Sequence, residues 1–279
     1  MQVLVTGDCG KIGVRVRRLL EEAGHTVIGF DVKRTPAEDI CNPDALKSAT
    51  AGCEVVVHCA AIPHPHHGSP GHYFDLNVHG TKYVLEIASR VKVRRVVYIS
   101  STGYYGCDVH DGQINLLYLP IDEVHPPGLA HLLTGGMEIY NVSKVMAEQL
   151  VAFYGTNQIL ETMVLRLAPA NPKSWQYRGG FSWTACGNDS WKRGCLFTNC
   201  HPDYAAQAIQ LAVEAEGPFW YEPFNITDRY THRSIDVREF AHRAYPGVPV
   251  SKSLEQHDSL ITPKKAMEVL GFKPCTALE

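Results

Sequence analysis

The chain has 279 residues, 45% of them hydrophobic and 20% charged, enough for one large buried core or a core with a lobe attached. A net charge of -3 supplies no basic field for nucleic acid or an anionic membrane, and no apolar run approaches the roughly 18 residues of a membrane span. Nine cysteines, an odd count without a Cys-x-x-Cys, read as reduced thiols, and with no charged leader before the first strand the expectation is a cytoplasmic protein.

Strand and helix alternate from the start. Gln2 to Thr6 is apolar and β-prone, Ile12 to Ala23 has helical apolar spacing, and Thr26 to Phe30 is a second short strand ending at Asp31. Asn42-Pro43 has the residue types of a helix start, and Cys53 to Ala61 is a continuous apolar strand suited to a sheet covered on both faces. Val78 to Val91 follows as helix and Arg95 to Ser101 as strand. The cations Arg90, Lys92, Arg94 and Arg95 read as helix-end and solvent-facing charges, not as a nucleic-acid site. A helix runs from the segment Tyr140 to Lys144 to about Tyr154, and Glu161 to Leu167 is the next strand. The stretch Asn171 to Asn199 is irregular and too long for a simple connection, which suits a cover over a substrate. Pro202 to Ala215 reads as helix, Phe219 to Ile226 as strand, and Ser234 to Ala244 and Pro263 to Leu270 as helices, with Gly271 as a C-cap. These elements predict an α/β fold, a doubly wound parallel sheet of Rossmann type. Residues 1–170 are expected to form the Rossmann half and residues 171–279 mostly a small lobe, interleaved with the last strands.

The loop Thr6-Gly7-Asp8-Cys9-Gly10-Lys11-Ile12-Gly13 lies between the first strand and the first helix. Gly7 permits a tight turn, Gly10 lets backbone approach a pyrophosphate, and Gly13 lets helix pack close to strand, with phosphate on the helix amides. Asp31 stands at the spacing that reaches the adenosine ribose hydroxyls, and its carboxylate favours NAD over NADP. Lys33 and Arg34 beside it read as solvated turn charges, against the alternative of a phosphate clamp. Further along, Tyr140 and Lys144 stand one helical turn apart on one face. An ammonium beside a phenol lowers a pKa that is ordinarily about 10, and a phenolate can take the proton of an alcohol as hydride leaves carbon.

Five segments in this order carry a family resemblance: the glycine loop, His58-Cys59-Ala60-Ala61, Asn77-Val78-His79-Gly80-Thr81, Ser100-Ser101-Thr102-Gly103-Tyr104-Tyr105-Gly106, and Tyr140 to Lys144. Together they resemble the extended short-chain dehydrogenases/reductases, and within them the NAD-dependent epimerase/dehydratase family, over most of the chain to about residue 170. The resemblance implies that Ser101 hydrogen-bonds the reacting oxygen, with Thr102 as its substitute, that Tyr140 is the acid/base, and that Lys144 holds the nicotinamide ribose. It also implies that Gly7, Gly10, Lys11, Ile12, Gly13, Asp31, Ala60, Ala61, Asn77, Tyr140 and Lys144 contact NAD, and that the protein pairs as a homodimer through the helix carrying Tyr140 and its neighbour.

The departures narrow the substrate. Thr102-Gly103 stands where sugar dehydratases of the family carry an acidic pair. Pro169 stands where nucleotide-sugar epimerases place Asn, with Asn171 a poor substitute. Arg166, Tyr177-Arg178 and Trp183 are spaced like residues of the uronate dehydrogenases, in which the later arginine grips a carboxylate, so Arg178 is the candidate for that grip. Pro169 also replaces a serine of that subgroup. The expected substrate is a sugar or sugar acid; a nucleotide-sugar epimerase with tightly bound NAD and a non-catalytic NAD(P)-sensing module are the alternatives. His64, His66, His67 and His72 lack the spacing of a metal site, and none is expected. Trp175, Trp183 and Trp191 suit either a lid over a sugar or the core of the lobe.

Overall fold

The computed structural model describes residues 1–63, 69–106, 116–128, 139–170, 196, 198–231 and 236–276. Six strands form one parallel sheet: β1 (Gln2–Thr6), β2 (Thr26–Phe30), β3 (Val55–His58), β4 (Arg95–Ser101), β5 (Glu161–Leu167) and β6 (Trp220–Ile226), in the order β2-β1-β3-β4-β5-β6. The chain leaves β1 toward β2 and then crosses back over β1 to β3. The strand order therefore reverses between β1 and β3, and a crevice opens at their carboxyl ends, where ligands of such sheets bind.

Side chains alternate across the sheet and both faces are buried, which is why the strands read as continuous apolar runs. Val3, Val5, Val55 and Val57 face one layer, formed with Val16 and Leu20 of helix α1 (Gly13–Glu22). Leu4 and Val56 face the other, with Leu46 of α2 (Pro43–Thr50), Leu85 of α3 (Thr81–Arg90) and Val151 of α4 (Ile139–Thr156). Helix α5 (Pro202–Glu214) packs beside α1 on the first face, and α7 (Lys264–Leu270) closes that layer, ending at Gly271 with φ +67°. Between them in sequence, α6 (Val237–Ala244) belongs to a separate cluster with Tyr104, Tyr105, Ile121 and Leu260, built over the carboxyl end of the sheet. No helix among the described residues is long and apolar enough to cross a membrane.

Several boundaries moved for physical reasons. The third strand is shorter than the apolar run Cys53 to Ala61, because the chain beyond His58 turns away into the crevice rim. Helix α3 is preceded by a π-helical stretch, Phe74–Gly80, that apolar spacing alone does not distinguish from α-helix. Asn42 does cap α2, accepting from the Ala45 amide at 3.3 Å. Arg95 is a correction: it is fully buried, bridges to Glu161 at 2.7 Å, and donates to the carbonyls of Ala212, Ala215 and Gly217 at the end of α5. Its charge does serve a helix C-terminus, but one brought to it by tertiary folding, away from solvent.

Candidate active site

The glycine loop turns as its spacing requires. Gly7 has φ +70° and donates to the Phe30 carbonyl at 2.8 Å, while a Cβ there would sit 2.7 Å from the Ala60 nitrogen. Gly13 lies against the backbone of Gly7 and Asp8 with no room for a side chain. The start of α1 has no side-chain cap and no acidic residue in its first turn, so its amide donors around Lys11, Ile12 and Gly13 suit an anion. Asp31 is buried and accepts from the Cys9 amide at 3.0 Å and the Lys33 amide at 2.8 Å, leaving lone pairs on both oxygens for hydroxyl donors. This donor set fits a dinucleotide. Lys11 reaches over the crevice to the Ala170 carbonyl at 3.1 Å, linking the loop to the end of β5.

Arg34 carries a pairing that its place in the sequence did not reveal. It is solvent-exposed as expected, but its guanidinium is not free: it grips the Asp8 carboxylate, with Nη2 to Oδ2 at 2.6 Å and Nε at 3.1 Å from both oxygens, and Arg17 adds a contact at 3.0 Å. Burial pushes the Asp8 carboxyl up, but the guanidinia of Arg34 and Arg17 outweigh it and hold the pKa below the ordinary carboxylate range.

On the other side of the crevice, β4 ends at Ser101, whose Oγ accepts from the Gly103 amide at 3.0 Å. The hydroxyl is thus a cap whose own proton remains uncommitted among the described contacts. Thr102 beside it is buried, its Oγ1 without a partner among the described residues. Helix α4 places Tyr140, Lys144 and Glu148 on successive turns of one buried face. Tyr140 packs with Ile62 and Tyr73, and the Lys144 ammonium lies 6.0 Å from the centre of its ring and 5.2 Å from that of Tyr98. Lys144 Nζ donates to the Ile99 carbonyl at 2.9 Å. Burial drags its pKa down to about 8, against the pull of Cys59 and Glu148.

Beneath these groups lies a polar framework that residue spacing did not reveal. Glu148, fully buried, takes Nη2 and Nε of Arg166 at 2.5 and 3.0 Å, the Ser100 hydroxyl at 2.8 Å and the Tyr221 hydroxyl at 3.1 Å. Arg166 also donates to the Tyr105 hydroxyl at 2.6 Å and lies 3.8 Å from the centre of the Tyr104 ring, tying α4 to the ends of β4 and β5. His58 forms a second chain. Thr81 donates to the Asn77 carbonyl at 2.6 Å, so its oxygen accepts from His58 Nε2 at 3.0 Å; His58 Nδ1 then accepts from Thr6 Oγ1 at 2.8 Å, and Thr6 accepts from the Ala60 amide at 3.3 Å. Burial and the nearby Lys144 pull the His58 pKa down to about 3, so the ring is neutral. The Asn77 side chain accepts from the Ile62 amide at 2.8 Å and donates to Ser143 at 2.9 Å, locking the rim after β3 to α4. A charged residue on an apolar helix face was the available signal for Glu148; for His58 there was none beyond its interrupting an apolar strand.

The structure therefore brings the glycine loop, Asp31, Ala60, Ala61, Asn77, Ser101, Thr102, Tyr140 and Lys144 to the carboxyl end of one sheet. Asn171, Tyr177, Arg178, the histidines at 64, 66 and 67, and the tryptophans at 175, 183 and 191 lie outside the described residues.

A parallel sheet with this strand order, a glycine loop at the switch point and a tyrosine and lysine one turn apart opposite it define an extended short-chain dehydrogenase/reductase. The chain belongs to the NAD dependent epimerase/dehydratase family, whose model matches residues 3–170. It is 35% identical over 276 residues to the decarboxylating sterol-4-alpha-carboxylate 3-dehydrogenase of Candida albicans, covering 81% of this chain and 74% of that one. It is 29% identical over 181 residues to the L-arabinose 1-dehydrogenase (NAD(P)(+)) of Haloferax volcanii, covering 60% and 66%. Of six other curated relatives it spans about half of their length or less. Among solved structures, a short-chain dehydrogenase/reductase superfamily protein from Agrobacterium tumefaciens with bound NAD has TM-score 0.71 and 22% identity, covering 100% of this chain and 94% of that one. A uronate dehydrogenase is one of several further neighbours in fold.

Proposed function

We propose that this chain is an NAD-dependent oxidoreductase that takes hydride from a hydroxyl-bearing carbon of a sugar or sugar acid. The observation that carries the reading is the pairing on α4 of Tyr140 with the buried Lys144 ammonium, opposite the uncommitted Ser101 proton. Ser101 donates to the substrate oxygen and fixes its position, with Thr102 in reserve. Tyr140 takes the hydroxyl proton, and the positive charge of Lys144 stabilises the phenolate that must be present beforehand. Bound NAD supplies a nicotinamide ring that accepts the hydride. Lys144 also holds the nicotinamide ribose; Gly7, Gly10, Lys11, Ile12 and Gly13 hold the pyrophosphate; Asp31 takes the adenosine ribose, and Ala60, Ala61 and Asn77 line the strand end. In this reading residues 1–170 carry cofactor and chemistry, residues 171–279 mostly cover the substrate, Arg178 pairs with a substrate carboxylate and Asn171 binds its hydroxyls.

The test is a panel of free aldoses, uronates, UDP-sugars and 3-hydroxysteroids with NAD and NADP, followed by absorbance of the reduced nicotinamide and by product identity. Steady NADH formation with a free sugar or uronate is expected. Conversion of a UDP-sugar without net NADH would overturn the dehydrogenase reading in favour of an epimerase. A second substrate class is included because the Candida relative, matched over 81% of this chain, acts on a sterol carboxylate; NADH with hydroxysteroids alone would replace the sugar.

The same reading pairs two copies through α3 and α4. Met146 and Phe153 stand exposed along α4 and Val142 and Leu150 half-buried beside them, an apolar stripe at helical spacing on the face away from the crevice. A dimer mass by light scattering is expected, and a monomer mass that stays constant with rising concentration would refute it.

A further inference from the structure

We infer that Asp8 is a cofactor-specificity residue: by occupying Arg34 and Arg17 it withholds from the adenosine end of the crevice the cations that a 2′-phosphate would need, and so selects NAD over NADP. The inference rests on the proposed dinucleotide reading and adds a residue to it.

The geometry is built for this restraint. Asp8 follows the tight turn at Gly7, and its side chain is only 1% exposed. It lies over Gly29 of β2, where any side chain would collide with the Asp8 carboxylate and with Arg17. An oxygen of Asp8 lies within 4.8 Å of one of Asp31, the group placed to take the ribose hydroxyls. Arg34 begins from the turn that Asp31 opens, its amide donating to the Asp31 carbonyl at 2.9 Å. Its guanidinium therefore stands beside the ribose position, where an arginine accommodates the extra phosphate of NADP.

What prevents this is the use already made of its donors. Arginine recognises phosphate or carboxylate through two parallel N–H groups on one edge. In Arg34 that edge, Nε and Nη2, is spent on Asp8. Asp8 thus neutralises a cation, occupies its Nε/Nη2 edge and adds a second carboxylate beside Asp31. Glu38 stands on the same side, its carboxylate accepting from the Asp31 amide at 3.0 Å. A 2′-phosphate entering there meets the carboxylates of Asp8, Asp31 and Glu38, with the Nε/Nη2 edge of Arg34 already taken by Asp8.

The test is calorimetric titration of NAD and NADP against wild type, Asp8→Ala, Asp8→Asn, Arg34→Ala and the double variant Asp8→Ala/Arg34→Ala, without substrate. Asp8→Ala is expected to shift the NADP-to-NAD affinity ratio toward NADP by about tenfold or more, and Asp8→Asn, which keeps the volume, in the same direction. Adding Arg34→Ala should remove most of that gain. Arg34→Ala alone should leave the wild-type ratio within about twofold, since the arginine is withheld already. An unchanged ratio in both Asp8 variants, or a loss of NADP binding in Arg34→Ala alone, would overturn the inference; the second result would make Arg34 a working clamp in the native protein. Should Asp8→Ala fail to fold, Asp8→Asn decides by itself. Wild type that binds neither nucleotide would instead refute the dinucleotide reading, an outcome distinct from an unchanged ratio.

Discussion

Tyr140→Phe is expected to lower kcat with the best substrate by about a thousandfold while NAD binding and thermal stability stay close to wild type. The ring packs with Ile62 and Tyr73, and phenylalanine keeps that packing, so the deletion falls on the hydroxyl alone. The magnitude follows from general acid–base catalysis, which contributes a factor of roughly a hundred to ten thousand. Ser101 would still orient the oxygen, so residual turnover is expected to persist. Single-turnover reduction of NAD is the measurement to use, because it isolates hydride transfer from product release. A variant that binds NAD and turns over like wild type would remove Tyr140 from the chemistry. A wild-type protein that binds NAD and oxidises nothing in the panel would favour the sensing module instead.

The second large effect is acid destabilisation through His58. In the unfolded chain an imidazole takes up its proton near pH 6.5, whereas in the folded protein burial holds the His58 pKa at about 3. Across that window the unfolded state binds more protons, so unfolding is favoured as pH falls, and the contribution present above pH 6.5 is lost progressively toward pH 3. The full loss is on the order of 4 kcal/mol. Protonation would also put a donor on Nδ1 facing the Thr6 hydroxyl, which must then turn its proton away. Asp8, held low by its arginines, destabilises in the same direction but only near and below pH 4. His125, also lowered by burial, adds a part of the slope in the window of His58. The melting temperature of wild type should therefore fall steadily between about pH 6.5 and 4.5, and His58→Gln, whose amide can bridge the two threonines without titrating, should flatten most of that slope. A flat wild-type profile, or equal slopes in the two proteins, would refute the assignment.

The same framework explains what was and was not legible beforehand. The glycine loop, Asp31, and the pair Tyr140 and Lys144 were legible as candidates because each is a local pattern: a turn, the end of a strand, one turn of helix. The strands of the sheet were legible as apolar runs because both faces are covered, and the ends of β3 and α3 moved where hydrogen bonding rather than apolar spacing sets the boundary. Arg95 was misread as solvent-facing, and the pairing of the exposed Arg34 with Asp8 went unseen. Their partners, the carbonyls at the end of α5 and a carboxylate lodged over Gly29, lie far from them in sequence or out of any local register.

By itself, the amino-acid order determined the alternation of strand and helix, the dinucleotide loop and the tyrosine–lysine turn, since all three follow from backbone preference and short-range periodicity. The tertiary structure decided the rest: that Lys144 and His58 are buried, that Glu148 and Arg166 pin α4 to the sheet, and that Asp8 holds Arg34. Burial and long-range pairing set the charge state and reach of a side chain, and both are properties of how distant segments meet, which no local pattern encodes.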